Sequence, residues 1–157
     1  MRRVKKILLG LLLVFIVMQF IRPARNRSSA KQATDMITTL NVPSNVAGIL
    51  KASCYDCHSN NTRYPWYSNI QPAGWLLAKH IKDGKEQLNF NEFGNYSKRR
   101  QLSKLRAVEN SIKDGSMPLS SYTWLHSGAK LSAESKAMVL DWTSKKIDSI
   151  STERKSE

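Results

Sequence analysis

The 157-residue chain contains only two cysteines and three histidines, and 12 acidic residues stand against 25 basic ones. One cysteine pair is too few for a four-cysteine metal site. Zinc needs four ligands at recognisable spacings, and His80 and His126 are too scattered to complete a finger with Cys54 and Cys57. No strand-like alternation of any length appears, so helices are left to build the fold. There is no Gly-rich phosphate loop and no Ser/His/Asp set, and neither an internal repeat nor a low-complexity tract is present. The scarcity of acid is less marked than the formal charge of +13 suggests. Seven basic residues fall within positions 1–27, leaving 18 basic against 12 acidic residues in the rest, a net +6. That is a mildly basic domain and not a nucleic-acid footprint. Such a surface is either simply solvated or attractive to an acidic partner protein or anionic headgroups.

What the chain does have is Cys54-Tyr55-Asp56-Cys57-His58. Cys-x-x-Cys-His is the attachment pattern of c-type haem. Two intervening residues set the thiols at the spacing of the two porphyrin vinyls, and the histidine that follows is placed to be the proximal iron ligand. A redox dithiol would need a thioredoxin-like βαβ context, which is missing. A disulfide across so short a loop has poor geometry.

The single long apolar run is Ile7 to Ile21, preceded by Arg2, Arg3, Lys5 and Lys6 and followed by Arg22, Arg25 and Arg27. A basic start followed by an apolar run is an export signal. As a helix the run is about 22 Å long, short for a bilayer span, although flanking cations can snorkel. No small-x-small cleavage site follows it and no lipoprotein cysteine lies close behind. Residues 1–27 are therefore expected to be an uncleaved transmembrane anchor with its basic end in the cytoplasm, the alternative being a signal peptide that is removed. Export and covalent haem attachment support each other, because in bacteria attachment takes place outside the cytoplasm.

Residues 28–43 read as a polar tether that either reaches from the membrane or wraps a domain surface, 44–150 as the folded domain and 151–157 as a polar tail. Four helices are expected. The first starts near Ser44 and delivers the chain into the motif. The second starts at Gln71-Pro72 with Ala73, Leu76, Leu77, His80, Ile81, Gly84 and Leu88 on one face. The third runs from Ser97 to Asp114, stopped by Gly115, and the last starts at Ser132. Residues 89–96 and the stretch after Met117 read as loops. Gly48 and Trp142 are candidates for the crossing of the first and last helices.

Met117, followed by the stiff Pro118 and lying after a helix some sixty residues beyond the motif, is the favoured sixth iron ligand. Its alternative role is a gap-filling core methionine. His80 is the alternative ligand, though its place in an apolar stripe reads first as a core histidine with a satisfied hydrogen bond. His126 or an open sixth position completes the options. Tyr122 or Trp124 is placed to donate to a haem propionate.

From Leu50 to Trp142 the sequence resembles the haem-binding domain family of bacterial exported proteins, a cytochrome c-like group. The resemblance is carried by Cys54 through Tyr67, Leu88-Asn89-Phe90, Met117 through Thr123, and Ala129-Lys130-Leu131-Ser132. It implies covalent haem and an extracytoplasmic site, and it names no partner. The combined expectation is an all-α, cytochrome c-like bundle of about four helices around one covalent haem c per chain, with an N-terminal transmembrane helix. Cys54 and Cys57 hold the cofactor, and His58 and Met117 ligate iron. The function read from this is one-electron transfer with a redox partner protein at the periplasmic face of a bacterial inner membrane. No catalytic residues are expected. The rivals are a haem-based sensor or ligand-binding module, and a small peroxidase-like enzyme that would need an open site and His80 or His126 as acid/base.

Overall fold

A computed structural model describes residues 2–156, with side chains through Glu153. Met1 and Glu157, at the ends of the expected anchor and tail, lie outside the described residues. Among the described residues there are eight α-helices and no strand. They are α1 (Arg2–Met18), α2 (Met36–Thr39), α3 (Ser44–Ser53), α4 (Tyr55–His58), α5 (Ala73–Gln87), α6 (Lys98–Lys113), α7 (Ser120–Leu125) and α8 (Ala133–Ser156). The four expected helices are α3, α5, α6 and α8. The starts of α6 and α8 follow ordinary cap chemistry: the Ser97 hydroxyl accepts from the Arg100 N–H at 3.3 Å, and Ser132 accepts from the Ser135 N–H at 3.0 Å, whereas α3 and α5 start after Pro43 and Pro72 without a side-chain cap from those residues. Gly115, with φ of +74°, takes the left-handed turn that ends α6.

The core is a cluster of buried apolar side chains built mainly by α6 packed along α8, with α3 against α8. Leu102, Leu105 and Ile112 of α6 meet Val139, Trp142, Ile147 and Ile150 of α8, and Val46, Ala47 and Leu50 of α3 close the end. Two segments read as irregular chain contribute some of its most buried residues. Residues 90–95 form a 3-10 turn that buries Phe90 and Phe93. Of the two roles open to the tether at residues 28–43, the structure shows wrapping: α2 buries Met36, and Leu40 and Val42 follow it into the cluster. Neither is long enough to show a helical period, which is why the pattern did not reveal them. The expected polar tail is also helical, because α8 continues past the buried Ile150 to Ser156.

Gly48 does not serve a helix crossing. Trp142 is buried against this region, but Gly48 is exposed and a Cβ there would meet nothing within 4 Å. The glycine that permits close approach is Gly84 of α5, where a Cβ would lie 2.8 Å from the carbonyl oxygen of Cys57. It lets α5 press directly on α4, the turn that carries the motif.

The apolar side chains of α1 are exposed along its length and none is buried. No helix among the described residues is long and apolar enough to cross a membrane, so the expected transmembrane helix is not supported. α1 has 17 residues, a rise of about 25 Å.

Candidate functional site

The motif is delivered by α3. Cys54 ends that helix, and the single turn α4 brings Cys57 and His58 back over it, with the His58 N–H donating to the Cys54 carbonyl at 3.0 Å. Both cysteines are free thiols and half-buried. Burial, followed by its neighbour Cys57, pushes the Cys54 thiol up to about 12. Burial, followed by Asp56, pushes Cys57 up to about 11. Thiols so protonated are poor redox nucleophiles. Among the described residues no group of three His, Cys, Asp or Glu side chains is placed to hold a metal ion, so the zinc reading gains nothing from the fold.

His58 is set by the backbone that follows α5. Its Nδ1 lies 3.0 Å from the Leu88 carbonyl oxygen, which only accepts, so Nδ1 carries the proton and Nε2 keeps its lone pair. Burial lowers the affinity of the ring for a second proton, against smaller opposing effects of the Leu88 and Gly84 carbonyls. The ring packs on Phe90 with centroids 5.8 Å apart, and Phe90 in turn stacks on Tyr55 at 4.9 Å. A neutral imidazole held by a carbonyl on its inner nitrogen is the arrangement of an iron-ligating histidine.

Two adjoining hollows open on this turn, of about 320 and 250 Å³. Cys54, His58 and Met117 line both, and Cys57 and His80 line the first only. Leu88, Phe90, Val108, Ile112 and Leu131 give the second an apolar wall. Together they have the size and character of a site for a large flat apolar cofactor. A larger hollow of about 540 Å³ behind the motif is lined by Asp35, Tyr55, Asp56, Arg63 and Asn91, whose polar groups are bonded to one another. It receives neither the cysteines nor His58 and is not the cofactor side.

The candidate ligands differ in how they are held. Met117 is 37% exposed, and its N–H donates to the Ser111 carbonyl at 3.1 Å. His80 is half-buried, and no hydrogen bond to its ring is formed among the described residues, so the satisfied core histidine expected from the apolar stripe is not what is found. His126 is held away from both hollows. Its Nδ1 lies 3.0 Å from the Tyr122 carbonyl, and its ring stacks on Tyr122 at 4.1 Å. Trp124 is 84% exposed and lines neither hollow. Tyr122 lines the first, but its hydroxyl is committed to Asp56 at 2.7 Å and not directed to a propionate. The segment after Met117, read as a loop, contains α7.

Sequence reasoning did not single out the groups that hold the motif. Asp56, between the two cysteines, is buried. It accepts from the Arg63 N–H and guanidinium at 3.1 Å as well as from Tyr122. On the opposite side, buried Asp35 caps α2 through the Ile37 N–H at 2.8 Å and accepts from the Tyr55 hydroxyl at 3.0 Å and the Asn91 amide at 2.6 Å. Asn91 then accepts from the Asn60 N–H at 2.7 Å, just past His58. Buried polar groups joined this completely fix one arrangement of the chain around them. Their only signal in the sequence was an unusual density of Asn and Asp at 56–61 and 89–95.

An all-α body that presents a neutral histidine, with its outer nitrogen free, to an apolar hollow of this size is that of a haem-binding protein. The chain belongs to the haem-binding domain family, whose profile matches residues 13–145. No curated protein and no solved structure matches it.

Proposed function

We propose that the chain is a c-type haem protein that carries single electrons outside the cytoplasm, attached to the membrane through α1. The observation that carries this reading is the meeting of Cys54, His58 and Met117 on both hollows, with His58 Nδ1 fixed on the Leu88 carbonyl. In this reading each thiol adds across one vinyl, its sulfur forming the new C–S bond and its proton passing to the neighbouring carbon, so no oxidant or reductant is consumed. The bound iron supplies a reversible ferric/ferrous couple. His58 would hold it through Nε2 and Met117 through its thioether, which would favour the ferrous state. The apolar wall from Phe90 to Leu131 excludes water from the cofactor face.

Attachment through α1 is supported by its fully exposed apolar surface and the basic residues Arg2, Arg3, Lys5 and Lys6 at its start. A redox partner with an acidic face would suit the net +6 of residues 28–157.

One observation favours a second reading of the sixth ligand: the unbonded His80 ring on the first hollow. The absorption spectrum separates the two. The weak long-wavelength band of ferric haem with a methionine ligand is expected, together with haem stain that survives a denaturing gel. A bis-histidine spectrum would transfer the role to His80. Ready CO binding by the reduced wild type would instead favour a sensor or peroxidase-like protein.

A further inference from the structure

The segment that joins α1 to the body is not a free linker. Gln19, one residue past the end of α1, brackets the backbone of Gln71: its Oε1 accepts from the Gln71 N–H at 2.9 Å and its Nε2 donates to the Gln71 carbonyl at 3.3 Å. The Trp75 indole N–H donates to the Ile21 carbonyl at 2.8 Å. Arg25 reaches Asn69 Oδ1 at 2.5 Å and lies over the Tyr64 ring. Asn26 is bonded to Ser59, Thr62 and Tyr64. Residues 64–75 are thereby fastened directly beside the end of the apolar helix.

That same stretch exposes large apolar side chains. Trp66 is 76% exposed and Leu76 is 54% exposed, and the two line one shallow cavity of about 220 Å³ together with Leu125. Ile70 lies between the Arg25-bonded Asn69 and the Gln19-bonded Gln71 and is also exposed, as are Phe20 and Ile21 at the junction. Arg22, Arg25 and Arg27 accompany them, and none forms an ion pair with an acidic residue among the described residues.

We propose that the Trp66–Ile70–Leu76 patch is a seat in the lipid interface, holding the haem domain down on the membrane in one orientation, with Arg22, Arg25 and Arg27 on anionic headgroups. The inference rests on the attachment of α1 to a membrane. Its physical reason is length. A rise of about 25 Å is short of the roughly 30 Å hydrocarbon core, so a body clamped to the helix end is drawn onto the surface. Tryptophan beside aliphatic and basic residues is the composition that the headgroup region accepts.

The test uses the haem-loaded full chain in vesicles of phosphatidylcholine and phosphatidylglycerol. Single cysteines are placed by Trp66→Cys, Leu76→Cys and, as a control on the exposed side of α8, Ser144→Cys. Each is treated with a membrane-impermeant maleimide. Loss of reactivity at 66 and 76, with 144 reacting freely, is the expected result, and Leu76→Asp should restore reactivity at 66. Equal reactivity at all three sites in a chain that floats with the vesicles overturns the seat and leaves the attachment standing. A chain that does not float at all overturns both. Protection that occurs in native membranes but not in lipid vesicles also overturns the proposal and assigns the patch to a protein.

Discussion

The two sides of the haem cavity are built to different standards. On the His58 side several contacts hold the chain. His58 is fixed by the Leu88 carbonyl and by packing on Phe90, the motif turn is pressed by α5 at Gly84, and Asp35, Asn91 and Asn60 lock the surrounding chain. On the other side the candidate ligand Met117 is more than a third exposed. Its segment is tied to the motif by the Tyr122 hydroxyl on Asp56. The difference leaves the His58 half of the site firmly held and the Met117 half more open. It also means that damage to the first side should destroy the site, while damage to the second should only retune it.

The largest effect is expected from Cys54→Ala with Cys57→Ala. Covalent haem should be lost completely, as read by haem stain on a denaturing gel, and stain that survives would sink the thioether assignment. Gly84→Ala tests whether the proximal half depends on close backbone approach. In an exposed helix this change is mildly favourable. Here the added methyl lies 2.8 Å from the Cys57 carbonyl oxygen, and overpacking of this kind costs about 1–3 kcal/mol. Thermal melting should show the loss, with reduced haem loading. An unchanged melting temperature would mean that the α4–α5 contact is not tight.

Tyr122→Phe should be milder. It removes one hydrogen bond to a buried carboxylate that Arg63 still holds, a loss of about 1.5 kcal/mol. If Tyr122 is the strap of the distal half, CO should bind the reduced variant faster than the wild type, while haem attachment stays complete. A purely structural role would lower stability and leave CO binding alone. Met117→Ala should change stability least, by about 0.5 kcal/mol, as expected for a partly exposed side chain. Yet it should abolish the long-wavelength ferric band and lower the reduction potential. His80→Ala should do neither, and the reverse pattern would make His80 the distal ligand.

These expectations trace a boundary in what could be read from the chain. The apolar periodicity of α5 and α6 and their cap residues are local properties, so the helices were legible within a residue or two. The 3-10 turn at Phe90–Asn95 and the single-turn α2 were not, because elements this short carry no period and owe their burial to partners far along the chain. The sequence puts Gly84 on the inward face of α5 but does not mark it, in place of Gly48, as the glycine of close approach, since a sequence cannot say which glycine meets another backbone. The aromatic residues 122 and 124 were read toward a propionate. The fold instead gives Tyr122 to Asp56 and leaves Trp124 in solvent.

By itself the sequence determined which groups the candidate site offers: two thiols and an imidazole at a fixed separation, because covalent spacing over five residues is independent of the rest of the fold. It also determined the positions of the four long helices, since their stripes and caps act within a few residues. Only the tertiary structure decided which nitrogen of His58 is free, because a carbonyl thirty residues away sets the tautomer. Only it placed Met117 and His80 on a shared cavity and took His126 off it, and only it showed that residues 28–43 wrap the domain and that Gln19, at the end of the expected anchor, is bonded to it. Each of these depends on contacts between distant segments, where packing and buried hydrogen bonds, and not local propensity, choose the arrangement.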